Sequence, residues 1–300
     1  MTATSTTRAR ATAIPGIWRP AKLRKVPGIV LGAVFVLVMI VWTFLPIYGM
    51  VETAFTSRAT VFENELWPSS PTLENFAILF AAGDASPLPQ FWVQIGNSLG
   101  TALGTTALVL TIGILASFAL ARLRPNWGAP VSSLALVLYV VPASFLAIPL
   151  YLVMGNLGLL ESIPGLILAL STLATPYAVW MLRQFGTSIP TEIEEAARVD
   201  GAGVLRMLFA IYIPLMKNAL IPVAMYVFLL SWNDFLYAFL FLTNPEQLTI
   251  PVAMNSIITE GSPWTILMAS GLVYALPPVI LFIVVRRYLT GGTTTGSTTG

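Results

Sequence analysis

The sequence predicts an all-α membrane protein, a polytopic bundle of six transmembrane helices. Three observations carry that expectation: the scarcity of charge, the length of the charge-free runs and the one-sided placement of the basic residues. Of 300 residues, 9% are charged and 56% hydrophobic, against roughly 25% charged in an ordinary soluble domain. The runs 26–51, 85–121, 125–160, 162–182 and 261–285 contain no Asp, Glu, Lys or Arg, and each reaches the roughly 20 residues that cross a bilayer as helix. A sixth run, 218–242, is interrupted only by Asp234. Continuous runs of this kind exclude the short alternating segments of a membrane β-barrel.

The basic residues orient the spans. Arg8, Arg10, Arg19, Lys22, Arg24 and Lys25 precede the first run, which predicts a cytoplasmic N-terminus by the bias of Lys and Arg toward that side. Threading six spans from there places Arg122, Arg124, Arg183, Arg198, Arg206, Lys217, Arg286 and Arg287 on the same side, and leaves Arg58 alone outside. Glu52, Glu63, Glu65, Glu74, Asp84, Glu161, Glu246 and Glu260 fall on the far side. A single missed helix would invert every later loop, so the agreement supports the count of six. A basic stretch before an apolar run also resembles a cleaved signal peptide, but this apolar run exceeds the roughly 7–15 residues of a signal core. It is read as a retained span.

The expected organisation is a basic cytoplasmic tail at 1–27 lying near anionic lipid headgroups, a transmembrane region at 28–287, and a flexible tail at 288–300 ending in GGTTTGSTTG. Helices are expected near 28–50, 93–121, 131–154, 164–186, 217–242 and 265–287. The external stretch at about 52–92 is the longest connection, and a charged cytoplasmic loop occupies about 187–216. Gly96, Gly100 and Gly104 share one face of the second span, a seam for close helix packing. Pro46, Pro142, Pro149, Pro176, Pro222, Pro277 and Pro278 fall within spans and predict kinks. With no Cys and no His, disulfides, thiol chemistry and the commonest metal ligands are excluded. Neither a metal site, a catalytic residue nor a nucleic-acid partner is expected.

Two places hold polar residues that an oily chain would otherwise lack. In SWNDFLYAFLFL, Asp234 is the one acid embedded in a span, and an ionisable group there turns toward a bundle interior or a wet cavity. With Trp232 and Asn233 it offers an aromatic face, an amide and a carboxylate, a set suited to polyhydroxylated ligands; proximity to the outer interface is the alternative explanation of the acid. The loop TSIPTEIEEAARVDGAGVLRMLFAIYIPLMK reads as two short helices joined at glycine. Thr191 and Glu194 have capping-box spacing, Glu194 and Arg198 form an i,i+4 pair, and Gly201 is placed for a left-handed stop. Ala196 and Ala197 leave a small-residue face open to another protein.

That loop also carries a family resemblance. Glu195-Ala196-Ala197, Gly201 after three intervening residues, then Ile211, Ile213 and Pro214 resemble the EAA loop of ATP-binding-cassette importer permeases, with Ile213 where leucine is commonest. The six spans, the long external loop, Asn97-Ser98-Leu99 and SWNDFLYAFLFL resemble the MalG-type subfamily, the second permease subunit of carbohydrate importers. The resemblance implies a type I importer permease fold in a bacterial or archaeal cell membrane. It implies that Glu195, Ala196, Ala197 and Gly201 form a coupling elbow docked on an ATPase subunit, with Arg198 and Asp200 on its polar rim, and that Trp232, Asn233 and Asp234 line the substrate path. Implied partners are a MalF-like permease, two ATPase subunits and an extracytoplasmic solute-binding protein. The chain lacks a Walker A pattern, so ATP and Mg would be bound by the ATPase chains and this subunit would not be an enzyme. A stand-alone secondary carrier would show more intramembrane charge or an inverted repeat; importers of other cargo, such as glycerol phosphate, are closer alternatives.

Overall fold

A computed structural model describes residues 25–63, 65–81, 86–123, 126, 128–259 and 263–289. The greater part of both tails, together with Asp84, Arg124 and Glu260, lies outside the described residues. Thirteen helical segments follow one another and no strand occurs among the described residues. The chain divides into two units, residues 1–49 and residues 50–300. In the first, α1 (Lys25–Phe55) begins, a helix whose side chains from 28 to 47 are exposed. Its mean composition is apolar on every side, the pattern of a lipid-facing span.

The second unit continues with α2 (Glu74–Phe80), α3 (Phe91–Arg122), α4 (Gly128–Tyr139), α5 (Ala143–Asn156), α6 (Ile163–Ser188) and α7 (Glu192–Val199). There follow α8 (Val204–Arg206), a π-helical turn (Met207–Tyr212), α9 (Ile213–Trp232), α10 (Leu236–Phe241), α11 (Ile250–Thr259) and α12 (Trp264–Leu289). Among the described residues, five helices are long and apolar enough to cross a membrane, six if α4 and α5 are one bent span. The fold is therefore the all-α polytopic membrane class that the composition predicts.

Several expected boundaries shift. The third span is not one helix over 131–154: α4 and α5 meet at 98°, and Pro142 stands at the N-cap of α5 with φ −57° and ψ 128°. Proline disfavours helix in the residue before it, so Pro142 breaks the span where a kink was expected. The fifth span begins at Val204, not 217, because the apolar stretch 204–216 is helical and the π turn runs straight into α9. The non-spanning part of the charged loop expected at about 187–216 shrinks to 189–203. That span ends at Trp232, and 233–235 interrupt what was read as helix to 242.

α3 packs along both α6 and α9, and the core they share contains Val109, Phe118, Ala174, Ala178, Leu182, Leu208, Tyr212 and Val223. The glycine seam is only partly used here. A Cβ on Gly104 would stand 2.6 Å from Ile167 Cδ1 on α6, whereas Gly96 and Gly100 face open space. A closer approach occurs at Gly186 of α6, where a Cβ would overlap the buried Tyr212 hydroxyl. Tyr212 is 2% exposed and its ring packs edge-on to Phe118 at 5.1 Å, so it has nowhere to retreat. A second core joins Ala54, Leu79, Phe91, Ile250, Ile257 and Ile266 from α1, α2, α3, α11 and α12.

At the α5–α6 connection, Glu161 ties two loops. Its carboxylate accepts from Thr243 Oγ1 at 2.6 Å, from Thr243 N at 2.8 Å and from Asn244 N at 3.2 Å, and its own N–H donates to Phe241 O at 3.0 Å. Glu161 adopts φ +54°, a left-handed conformation costly for a non-glycine residue, and these bonds hold it there. Burial alone would raise the carboxyl pKa, but the three hydrogen bonds outweigh it and hold the group below its ordinary 4.5.

Two outcomes follow. Gly186→Ala is expected to cost about 1–3 kcal/mol by overpacking, seen as a lower unfolding midpoint in detergent. Because the folded pKa of Glu161 is depressed, its stabilisation is complete above the ordinary value and is lost as pH falls through the lowered one. Glu161→Gln should therefore be less stable than the parent at pH 7, with the difference shrinking toward pH 3 in paired thermal melts.

Candidate coupling elbow and cavity

α7 is short, acidic in its first turn at Glu192, Glu194 and Glu195, and basic in its last at Arg198, the charge order that a helix dipole favours. It stops in a glycine turn: Gly201 N donates to Arg198 O and Ala202 N to Ala197 O, at 3.0 and 2.9 Å, with Gly201 at φ +76°. This is the Schellman arrangement, in which a residue without Cβ takes the left-handed position. The stop expected at Gly201 is thus observed. Glu195, Ala196, Arg198, Asp200 and Gly201 are exposed and Ala197 is half-buried, so the elbow offers those residues outward.

Its beginning differs from expectation. Thr191 has helical torsions, φ −73° and ψ −23°, and its side chain makes no cap. Its carbonyl instead accepts from Glu194 N and Glu195 N, both at 3.0 Å, because a capping side chain needs an extended backbone to reach the third turn residue. Glu194 pairs not with Arg198 but with Arg122, whose Nε lies 2.7 Å from Glu194 Oε1, both side chains being under a tenth exposed. Arg122 also donates from Nη2 to Ile189 O at 2.9 Å and stands 5.8 Å from the Tyr212 ring centre. Sequence reasoning used Arg122 only as a marker of topology. No periodicity could join it to a glutamate 72 positions away.

The other polar cluster surrounds a cavity of about 750 Å³ beside the α4–α5 break. Tyr139, Pro142, Thr172, Tyr226, Asp234 and Tyr237 contribute to its wall along with aliphatic side chains. The hydroxyls of Tyr139 and Tyr226 are 2.7 Å apart, and Tyr177 packs against Tyr226 at 4.4 Å between ring centres. Asp234 Oδ2 accepts from Ala238 N at 2.9 Å, capping α10 from outside its first turn. Tyr237 donates to Ala143 O at 2.6 Å, which fastens α10 to the start of α5.

The three neighbours 232–234 therefore separate. Asp234 reaches the cavity wall. Asn233 is exposed; it accepts from Tyr274 Oη at 3.0 Å and donates to Leu229 O at 2.8 Å. Trp232 is 1% exposed and stacks with Phe228 and Tyr274 at 5.8 and 5.1 Å, so the open aromatic face expected of it is buried. Tyr139, Tyr226 and Tyr237, which the sequence scatters over α4, α9 and α10, supply the aromatic surface of the cavity instead, with Tyr177 packed behind Tyr226.

Residues 110–293, more than half of the chain, match the family model described as binding-protein-dependent transport system inner membrane component. The chain belongs to that family. Among relatives, it is 33% identical over 262 residues to the inner membrane ABC transporter permease protein YcjP of Escherichia coli (strain K12), covering 86% of this chain and 92% of the relative. It is 29% identical to the trehalose transport system permease protein SugB of Mycobacterium tuberculosis, over 86% of this chain and 93% of that one. In structure it resembles a chain of a bacterial ABC transporter involved in the import of the acidic polysaccharide alginate, with a TM-score of 0.76, 23% identity, and 89% of this chain and 97% of that chain covered. The likeness establishes a type I importer permease fold; the family, the inner-membrane relative and the apolar helices make the chain a multi-pass membrane protein.

Truncating the acid separates its local from its wider role. Asp234→Ala should cost about 1 kcal/mol through loss of the cap, while Asp234→Asn retains an acceptor oxygen and should unfold within a few tenths of a kcal/mol of the parent.

Proposed function

We infer that this chain is one permease subunit of an ATP-driven importer of carbohydrate, an oligosaccharide such as maltose or trehalose or a sugar alcohol. It forms half of the membrane pathway, and a second, MalF-like permease completes it. Two ATPase subunits bind the ATP and Mg and perform the hydrolysis; this chain is not a catalyst. An extracytoplasmic solute-binding protein delivers the cargo. The transmembrane region spans 28–287, both termini are cytoplasmic, and the host membrane is a bacterial or archaeal cell membrane.

The observation that carries this reading is the form of α7. A helix of eight residues with an outward face of Glu195, Ala196, Arg198 and Asp200, ended by the rigid turn at Gly201 and continuous through α8 with a spanning helix, is built to receive force. Small side chains at Ala196 and Ala197 permit close approach by another protein, and the charged rim supplies orientation. Family membership and sugar-transporting relatives support the same assignment. The cavity favours neutral cargo over phosphate: its wall includes Asp234 and, among the described residues, no Lys or Arg. Tyrosine rings and hydroxyls are suited to the apolar faces and hydroxyl rims of sugars. In this reading Asp234, with Asn233 near it, borders the path, and Trp232 supports the path by packing.

Val199 is 89% exposed on the elbow and the chain has no natural cysteine, so Val199→Cys gives a defined crosslinking site. In membranes it should crosslink to an ATPase subunit. Glu195→Lys or Gly201→Asp should lower both that crosslink and sugar uptake by at least about tenfold, a loss of about 1.4 kcal/mol in docking, with the amount of inserted chain unchanged. Crosslinking to no ATPase, or normal uptake in both variants, would remove the assignment.

A further inference from the structure

The elbow read above as the ATPase contact is joined to the rest of its unit at more places than chain continuity supplies. α7 continues from α6 on one side and into α8 and α9 on the other. Arg122, at the last position of α3, adds an independent tie. Its three partners are Glu194 within α7, Ile189 at the exit of α6 and Tyr212 in the π turn. One guanidinium thus holds the middle of the elbow and both of its roots. The pair with Glu194 is enclosed, with side-chain exposures of 3% and 9%, so neither charge has solvent to turn to if the other leaves. α7 and the end of α3 must move together or break a buried ion pair.

The opposite end of α3 is fastened as well. Asn97 Nδ2 donates to Glu246 O at 2.9 Å and to Leu248 O at 3.1 Å, and Ser98 Oγ accepts from Ile250 N at 2.8 Å. These bonds hold the segment 246–250 that leads into α11. Between Asn97 and Arg122 the helix is unbroken, about 37 Å at 1.5 Å per residue. Proline interrupts α1, α6, α9 and α12, but none occurs in α3. A helix without that weakness, tied at one end by an enclosed ion pair and a hydrogen bond and at the other by three hydrogen bonds, transmits displacement along its axis.

We propose that Arg122 is a positioning residue that makes α3 a push-rod: displacement of α7 passes through the Arg122–Glu194 pair into α3 and reaches segment 246–250 through Asn97 and Ser98. The proposal rests on the reading of α7 as the ATPase-contacting helix. It adds a route from that helix to the far side of the membrane that does not depend on α6 or α9 alone.

Glu246→Cys places a single thiol in this chain at an exposed position, where Asn97 holds the backbone carbonyl rather than the side chain. The complex purified with its ATPase subunits is labelled in detergent with a maleimide, without nucleotide and after trapping with ATP and vanadate, and the label on this chain is read from a gel. The labelling rates of the two states should differ at least about fivefold. In Arg122→Gln and in Asn97→Ala the ratio should fall close to one while the complex still forms; Arg122→Lys, which keeps the charge but not the fork, should fall between. A purely structural role would reduce the yield of complex and leave the ratio of the surviving complex intact. That result, or an unchanged ratio in either variant that assembles, overturns the push-rod. If Arg122→Gln does not assemble, Asn97→Ala decides, since it lies at the opposite end of α3 from the elbow. Absence of ATPase subunits from the purified complex would instead defeat the coupling reading, and the push-rod with it.

Discussion

A peptide group in a hydrocarbon layer has no water to accept its hydrogen bonds, so a membrane chain can leave the helical path only where something else serves its backbone. That constraint explains where this protein breaks. The interruption before α5 is met by Tyr237, whose hydroxyl reaches Ala143 O. At 232–235, Tyr274 donates to Trp232 O and Asp234 accepts from Ala238 N. Ile189 O, where α6 ends, is served by Arg122. The connection before α6 is held by Ser162, which accepts from Gly165 N at 3.2 Å, and by Glu161. Side chains that look like functional candidates on chemistry alone are therefore first of all the repair kit of a broken helix bundle, and function is built on the breaks they make possible.

The Arg122–Glu194 pair belongs to a different order. Enclosed ion pairs are commonly no better for stability than apolar residues of equal volume, although removing one member is costly. Their use is directional. An apolar contact between α3 and α7 would allow sliding, whereas a guanidinium paired with a carboxylate and hydrogen-bonded to the Ile189 carbonyl holds the register of the two helices. The inward acid of the elbow, Glu194, holds its position and leaves the opposite face exposed.

How much of this was legible follows the range of each interaction. Spans, their number and the glycine stop at Gly201 depend on near neighbours, so composition and local spacing reach them. The α4–α5 break was half legible: Pro142 announced an irregularity, but whether proline kinks or breaks a helix depends on partners such as Tyr237, far along the chain. Capping at Thr191 failed because the box pattern specifies residue types and not backbone torsions. Arg122 with Glu194, and Tyr139 with Tyr177 and Tyr226, were hidden because they meet only after helices pack. Trp232 misled for the same reason, since an indole next to an acid has the same spelling whether it faces a ligand or a neighbouring helix.

The π turn at Met207–Tyr212 sits between the elbow and α9. Such a turn accommodates one residue more than the α-helical coil would. Were the coil tightened to an α-helix with that residue kept, everything beyond it would rotate about 100° relative to the elbow, the angle of one residue in an α-helix. Tyr226 would then swing out of register with Tyr139, and Asp234 would no longer point at the same wall. The wide turn thus takes up one supernumerary residue beside the elbow and preserves the azimuth of aromatic and acidic groups several turns away.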